Sequence, residues 1–274
     1  VLGAWALWVR GHLSPAAFLL GTATATKIYP VLFVPLLAAA AWRRGGWRPA
    51  ARSLGLWLAG GFVVVGALGM WGSPWRDVRA ALEFHFDKPF GIEGLLGSGI
   101  PLVQWWLGIP LRMAPRNGIY GFESDLGTAV TFLLQWSWVL AVAGIFLFLW
   151  RRGRVDAWSE PGVLFALFGW YVVLGKLMAP QYTWWAVPFL AVAPGSWFGP
   201  WRHTAVLLLV AGSLVLGQIV YPLNYSEFLA AFNGEYFRNR LFWLNLVKNL
   251  LWLAAVVLAT VALVRQPRTD RVSG

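Results

Sequence analysis

Three short polar segments interrupt an apolar chain, and each carries residue types suited to an anion or a sugar. In "TATATKIYPVLFVP", residues 22–35, Lys27 sits inside an apolar run and is followed by Tyr29 and Pro30. A lysine at membrane depth costs about 2.5–3.5 kcal/mol on insertion scales, so it needs a partner or an aqueous cavity. Two readings stand: Lys27 snorkels to the interface, or it lines an outward-opening cavity and meets an anion, where the proline frees backbone groups at the same depth. "EFHFDKPFGIEG", residues 83–94, groups His85, Asp87, Lys88 and Glu93. It reads either as a solvated loop or as a Lys–His pair for a phosphate diester with carboxylates for hydroxyl groups. "KLMAPQYTWW" places Gln181 and Tyr182 after Lys176 and Pro180. It reads either as an interface turn with anchoring tryptophans or as a set for sugar stacking and hydrogen bonding.

The elements that must position these residues are membrane helices. The chain is 59% hydrophobic and 12% charged, with mean hydropathy +0.62, well outside the range of soluble domains. Several apolar runs approach the roughly 20 residues that cross a bilayer. The expected fold is an all-α polytopic transmembrane helical bundle over residues 1–274 as one domain, with seven or eight membrane segments. Cysteine is absent, which excludes disulfides and thiolate metal sites. No Ser/His/Asp arrangement, HExxH or Gly-rich phosphate loop occurs. No metal and no cofactor is expected.

The net charge of +11 does not point to nucleic acid, because the arginines gather in short loops between apolar runs. Arg43, Arg44, Arg48 and Arg52 form one group, Arg151, Arg152 and Arg154 another, and Arg265, Arg268 and Arg271 a third. That is the pattern of cytoplasmic loops. Eight of the eleven acids fall in 71–127 and 223–240, which are therefore expected outside. The three polar segments then share the external face, where Lys27, Lys88 and Lys176 would converge. Residue 1 is Val within an apolar run, so the chain is expected to be an N-terminally truncated piece of a longer protein.

Region Pro15–Trp42 would be about 42 Å long as one helix. Pro30 disfavours helical geometry at Tyr29, and Arg10 and Arg43 bracket the region. Two short helices broken at Lys27–Pro30 and folded as a hairpin are preferred. A span near Ser53–Met70 leads out to an external loop, 71–127. Within it, 74–86 reads as an amphipathic helix: Ser73 caps it, Trp75, Val78, Leu82 and Phe86 share one face, and Arg76, Arg79 and Glu83 lie off it. The segment 91–110 reads as re-entrant or interfacial. Further spans are expected near 128–150, 162–175, 182–193, 203–221 and 241–264, with Arg238 and Arg240 as interface anchors and a cytoplasmic C-terminus.

"GTATATKIYPVLFVPLLAAAAWRR" resembles the helix-break segment of GT-C type membrane glycosyltransferases. It is similar in particular to the glycosyltransferase 87 family, the polyprenyl-phosphate-mannose-dependent mannosyltransferases. "FHFDKPFGIEG" resembles that family's His-x-x-Arg segment with a following Glu-Ser. "APQYTWWAVP" resembles its Ser-Pro-Gln-Tyr turn, and "PLNYSEF" and "RNRLFWL" are also family-like. Lys88 stands where arginine is usual, which keeps the charge but not the bidentate fork. Gly94 and Ala179 each stand where serine is usual.

The resemblance implies a plasma-membrane enzyme. It would transfer a hexose, mannose foremost, from a polyprenyl-phosphate donor to a glycolipid or lipoglycan acceptor on the external face. Lys27, Tyr29, His85, Lys88 and Lys176 would hold the donor phosphate, and Glu93, Gln181 and Tyr182 the sugar or acceptor. The catalytic carboxylate is expected upstream of Val1, with Asp87 and Glu93 merely nearby acids. Two other classes fit the same residues: a transporter or flippase of an anionic lipid, and a non-catalytic partner subunit of like fold.

Overall fold

The computed structural model describes residues 1–72, 79–80, 83, 91–109, 112–116, 119–123, 136–152, 161–175, 180–192, 200–231 and 236–265. The elements are α1 (Leu2–Val9), α2 (Leu13–Thr26), a 3-10 turn (Tyr29–Phe33), α3 (Val34–Gly45), α4 (Trp47–Met70), α5 (Leu95–Trp106), β1 (Arg112–Arg116), β2 (Ile119–Glu123), α6 (Ser137–Arg151), α7 (Pro161–Leu174), α8 (Pro180–Trp184), α9 (Val187–Ala191), α10 (Pro200–Gln218), a π-type turn (Ile219–Leu223), α11 (Tyr225–Ala231), a 3-10 turn (Tyr236–Arg238) and α12 (Arg240–Arg265). Among the described residues the architecture is all-α apart from one two-stranded ribbon, and the chain is a membrane protein. Among the described residues, three helices are long and apolar enough to cross a membrane: Trp47–Met70, Trp201–Leu223 and Arg240–Arg265. Ser137–Arg151 and Pro161–Leu174 are apolar but shorter. Two compact units emerge: Val1–Glu83 with Val142–Leu164 and Gln266–Gly274, and Phe84–Ala141 with Phe165–Arg265.

In the first unit, α2 ends at Lys27, whose backbone is extended at φ −150° and ψ 132°. Pro30 explains the break, because in a continuous helix its ring would strike the carbonyl of Thr26. The chain therefore opens three residues before the proline, while Tyr29 itself lies in the 3-10 turn. The threonines just before the break satisfy themselves. Thr22, Thr24 and Thr26 hydroxyls donate to the carbonyls of Leu19, Leu20 and Ala23 at 2.8–2.9 Å. A run of threonines thus remains compatible with an apolar setting.

The expected hairpin of α2 and α3 is not what forms. The two helices scarcely touch, while each packs on α4. Along α4, Trp57 meets Thr24 through an Nε1–H bond of 3.1 Å, and Gly60 lies against the backbone of Phe18 and Thr22. Rising numbers on α4 meet falling numbers on α2, so the pair is antiparallel. At 1.5 Å per residue α4 is about 36 Å long, close to the sum of about 21 Å and about 18 Å for α2 and α3. The broken pair therefore lies end to end along α4. The physical reason is the glycine contact: Gly21 and Gly60 let the α2 and α4 backbones approach where any Cβ would overlap a carbonyl. Packing against α4 thereby outweighs packing of α2 on α3.

The second unit is built on α12. Gly169 of α7 admits Val256, Phe165 meets Trp252 edge-on at 5.8 Å, and Trp170 Nε1–H donates to Thr260 at 3.0 Å. A core of Ile92, Val220, Phe228, Leu241 and Phe242 joins the segment before α5 to α10–α12. β1 and β2 pair antiparallel with Arg112 opposite Glu123 and Arg116 opposite Ile119. The sequence reading contained no strand here. The two-residue Asn-Gly link between the strands was the available signal. Gly91 bridges to Gly121 of this ribbon. Of the expected amphipathic helix, Arg79, Ala80 and Glu83 are described, and Arg79 and Glu83 pair at 2.7 Å. The rest of 74–86 lies outside the described residues, as does 128–135 of the expected 128–150 span. The expected 182–193 crossing is two five-residue helices, α8 and α9.

Candidate functional site

Helix α12 carries Asn245, Lys248 and Asn249 at i, i+3 and i+4, a spacing that puts all three on one face. All three are buried, with Lys248 only 1% exposed. They converge on the turn that starts α5. Lys248 Nζ donates to the Glu93 carbonyl oxygen at 2.9 Å, and Asn249 Nδ2 donates to the same oxygen at 3.0 Å. Asn245 Nδ2 donates to the Ile92 carbonyl at 3.1 Å and to Ser98 Oγ at 2.9 Å. Asn249 also reaches Ser98 Oγ, at 3.2 Å, and Ser98 Oγ–H donates to the Gly94 carbonyl at 3.2 Å. Gly97 makes this possible, since a Cβ there would overlap the Gly91 carbonyl. Burying a lysine among apolar helices is costly, and here the cation is held by a carbonyl dipole with a carboxylate in electrostatic reach.

That carboxylate is Glu93. It is half-buried and accepts a 2.6 Å hydrogen bond from Tyr225 OH. Tyr221 meets Tyr225 edge-on at 4.9 Å. Tyr120 and Tyr221 lie in electrostatic reach of Tyr225, Tyr182 in reach of Glu93, and Tyr171 in reach of Tyr182. Two tyrosines, Tyr225 and Tyr182, thus act on Glu93, and three more lie in reach of one or other of those two, which makes the neighbourhood aromatic. Tyr225 lies beyond the span that ends at Leu223. Burial, then the Glu93 charge and the hydrogen bond to it, hold its phenol well above the ordinary value. It therefore stays neutral and keeps donating at physiological pH. Chemically, the arrangement offers one carboxylate acceptor and several phenol groups to hydroxyl-bearing ligands, over a polar floor built by α12. Among the described residues no three His, Asp or Glu side chains come together.

The sequence-predicted residues divide between the units. Lys27 and Tyr29 belong to the first, at a break facing the middle of α4, with Lys27 exposed. Glu93 and Tyr182 belong to the second and lie in electrostatic reach of one another. Gln181 is on α8. His85, Asp87, Lys88 and Lys176 lie outside the described residues. The sequence reading missed Lys248, Asn245, Asn249, Ser98 and Tyr225. Lys248 was detectable: it is a lone charge in the middle of "LNLVKNLLWL", in the last apolar run, and an intramembrane charge is a site candidate on that ground alone. The chain was compared with family models, with curated proteins and with solved structures, and it matches none of them.

Proposed function

We propose that the chain is an integral membrane hexosyltransferase. It transfers a sugar, mannose foremost, from a polyprenyl-phosphate donor to a glycolipid or lipoglycan on the external face of the plasma membrane. In this reading the helices form a GT-C-like bundle of seven or eight crossings, as the family resemblance implies. The observation that carries the reading is Glu93, a half-buried carboxylate bonded by Tyr225 OH amid tyrosines, in a bundle of apolar helices. A carboxylate with neighbouring phenols and aromatic faces suits sugar hydroxyl groups. Lys27, at the break after α2, is assigned to the lipid phosphate by the resemblance. His85, Lys88 and Lys176 are assigned to the same phosphate by the resemblance, and Gln181 and Tyr182 to sugar or acceptor.

The reaction is a displacement at the anomeric carbon. The acceptor oxygen bonds to that carbon, the carbon–oxygen bond to phosphate breaks, and the lipid phosphate leaves with the electron pair. The acceptor proton passes to a carboxylate base other than Glu93. Cations at the phosphate stabilise the charge that develops as it leaves. The test is a transfer assay with the full chain in liposomes, using radiolabelled polyprenyl-phosphate mannose and a glycolipid acceptor. Transfer that Glu93→Gln lowers by about tenfold or more but does not abolish supports the reading, and equal transfer by both proteins refutes it.

A second reading, a transporter or flippase of an anionic lipid, is favoured by the position of the Lys27 break near the middle of α4, since discontinuous helices of that kind line transport sites. It predicts lipid-phosphate movement across the bilayer without sugar transfer. A non-catalytic partner subunit would show neither.

A further inference from the structure

We infer that the α12 triad Asn245–Lys248–Asn249 is a positioning clamp for Glu93, with Lys248 acting on the site through the Glu93 backbone. The inference rests on the reading of Glu93 as a ligand-binding group, and it adds residues which that reading does not contain.

Three features separate a clamp from ordinary core packing. First, the triad's side-chain hydrogen bonds end on residues 92, 93 and 98: two carbonyl oxygens and one hydroxyl. Second, two donors share the single carbonyl of Glu93, at 2.9 and 3.0 Å. A carbonyl oxygen has two acceptor sites, so this one is saturated and the peptide unit can turn only by breaking both bonds. Third, the strongest donor is a charged lysine, 1% exposed. An apolar residue would fill that volume without the cost of burying a cation, so its use here calls for a task that packing does not supply.

The task follows from the order of the atoms. The carbonyl held by Lys248 and the carboxylate held by Tyr225 belong to the same residue. One fixes where the Glu93 side chain starts and the other where it ends. With both in place the carboxylate faces the tyrosines at a set position. With the carbonyl released, the first turn of α5 can rotate and carry the carboxylate away. Lys248 is thus a positioning residue and touches no ligand.

Lys248→Met keeps the side chain's length and removes the donor, whereas Lys248→Gln keeps an N–H donor without the charge. In the transfer assay K248M should lower kcat by roughly 10- to 100-fold, the size expected for misplacing a catalytic or binding group by about an ångström. KM for the donor should stay within about twofold, and K248Q should recover part of kcat. The double variant K248M/E93Q should be no slower than E93Q, because a residue acting only through Glu93 has nothing left to position. Multiplicative losses in the double variant would overturn the clamp.

Hydrogen exchange supplies a readout that needs no activity. Amides of residues 94–98 should exchange faster in K248M than in wild type, with recovery in K248Q, while amides of α7 stay unchanged. Unchanged exchange at 94–98 in K248M overturns the inference. If E93Q transfers sugar as fast as wild type, the transferase reading falls, and exchange alone then decides the clamp.

Discussion

Removing the Tyr225 hydroxyl tests the geometry around Glu93 most directly. In Tyr225→Phe the ring stays, so the edge contact with Tyr221 at 4.9 Å and the contact with Phe228 at 6.3 Å are kept. What is lost is one 2.6 Å O–H···O⁻ bond. Hydrogen bonds to charged groups contribute about 1.5–3 kcal/mol net. Glu93 is only half-buried, and water replaces part of the lost bond, so about 1–2 kcal/mol is expected. The assay is reversible unfolding of the full chain in mixed micelles, with wild type, Y225F, E93Q and the double variant closing a cycle. A coupling of about 1 kcal/mol between the two sites is expected. Its pH dependence follows from the direction of the Tyr225 shift. The folded-state pKa is raised above the ordinary 10.0 by burial first and then by Glu93. The neutral phenol is therefore favoured in the folded state, and its contribution is complete below the unfolded pKa and lost as pH rises through the folded one. The coupling should stay level from about pH 7 to about pH 9 and decline only above about pH 10. A cycle that closes at zero coupling, or a coupling already lost by about pH 8, would refute a bond between these two groups.

The other predictions concern the packing and the two units. Gly21→Val and Gly60→Val each drive a side chain into a backbone carbonyl across the α2–α4 contact, and each should cost about 3 kcal/mol or more. Gly66→Ala, with nothing within 4 Å of the new Cβ, should be neutral or stabilising by up to about 1 kcal/mol; thermal unfolding compares the three. Asn245→Leu removes the bonds to the Ile92 carbonyl and Ser98 Oγ and should cost roughly 2–4 kcal/mol in the same assay. Lys27→Ala should change stability by under about 0.5 kcal/mol, because the residue is exposed. If Lys27 holds the lipid phosphate, the same variant raises KM for the donor by about tenfold or more, and Lys27→Arg restores it; an unchanged KM removes Lys27 from the phosphate site.

The helices were legible because the membrane imposes one pattern on all of them. The span expected at 241–264 meets a helix long and apolar enough to cross, Arg240–Arg265, whereas that expected at 162–175 meets the shorter apolar helix Pro161–Leu174; a long apolar run has few alternatives in lipid. The break at Lys27 was legible for a similar reason: a proline's lost N–H and ring clash are local. What followed the break was not. Hairpin and end-to-end paths share the same proline, and the choice between them lies in Gly21 and Gly60, some 40 residues apart. Those glycines read in sequence as two among 30. The ribbon at 112–123 leaves no trace in the charge distribution that places its loop outside, and its one sequence signal is Asn117-Gly118 between the strands.

Of the candidate site, only residues that stand out within their own segments were legible. Glu93 and Tyr182 stood out as polar residues beside aromatics, and they fall within electrostatic reach of one another. Their supports did not stand out, for a geometric reason. Asn245, Lys248 and Asn249 act on residues 92, 93 and 98, about 150 positions away in the chain. Nothing in "LNLVKNLL" names that target, although the i, i+3, i+4 spacing does declare a polar face. A single lysine in a span calls for a partner, and the natural search is for an acid to pair with it. Here the direct contact is with a main-chain carbonyl, which every residue possesses and no composition reveals. The acid that does lie in reach, Glu93, owns that carbonyl. A charge buried in a membrane helix can thus serve the residue it faces by fixing that residue's backbone, leaving the carboxylate itself to Tyr225 and to whatever ligand enters.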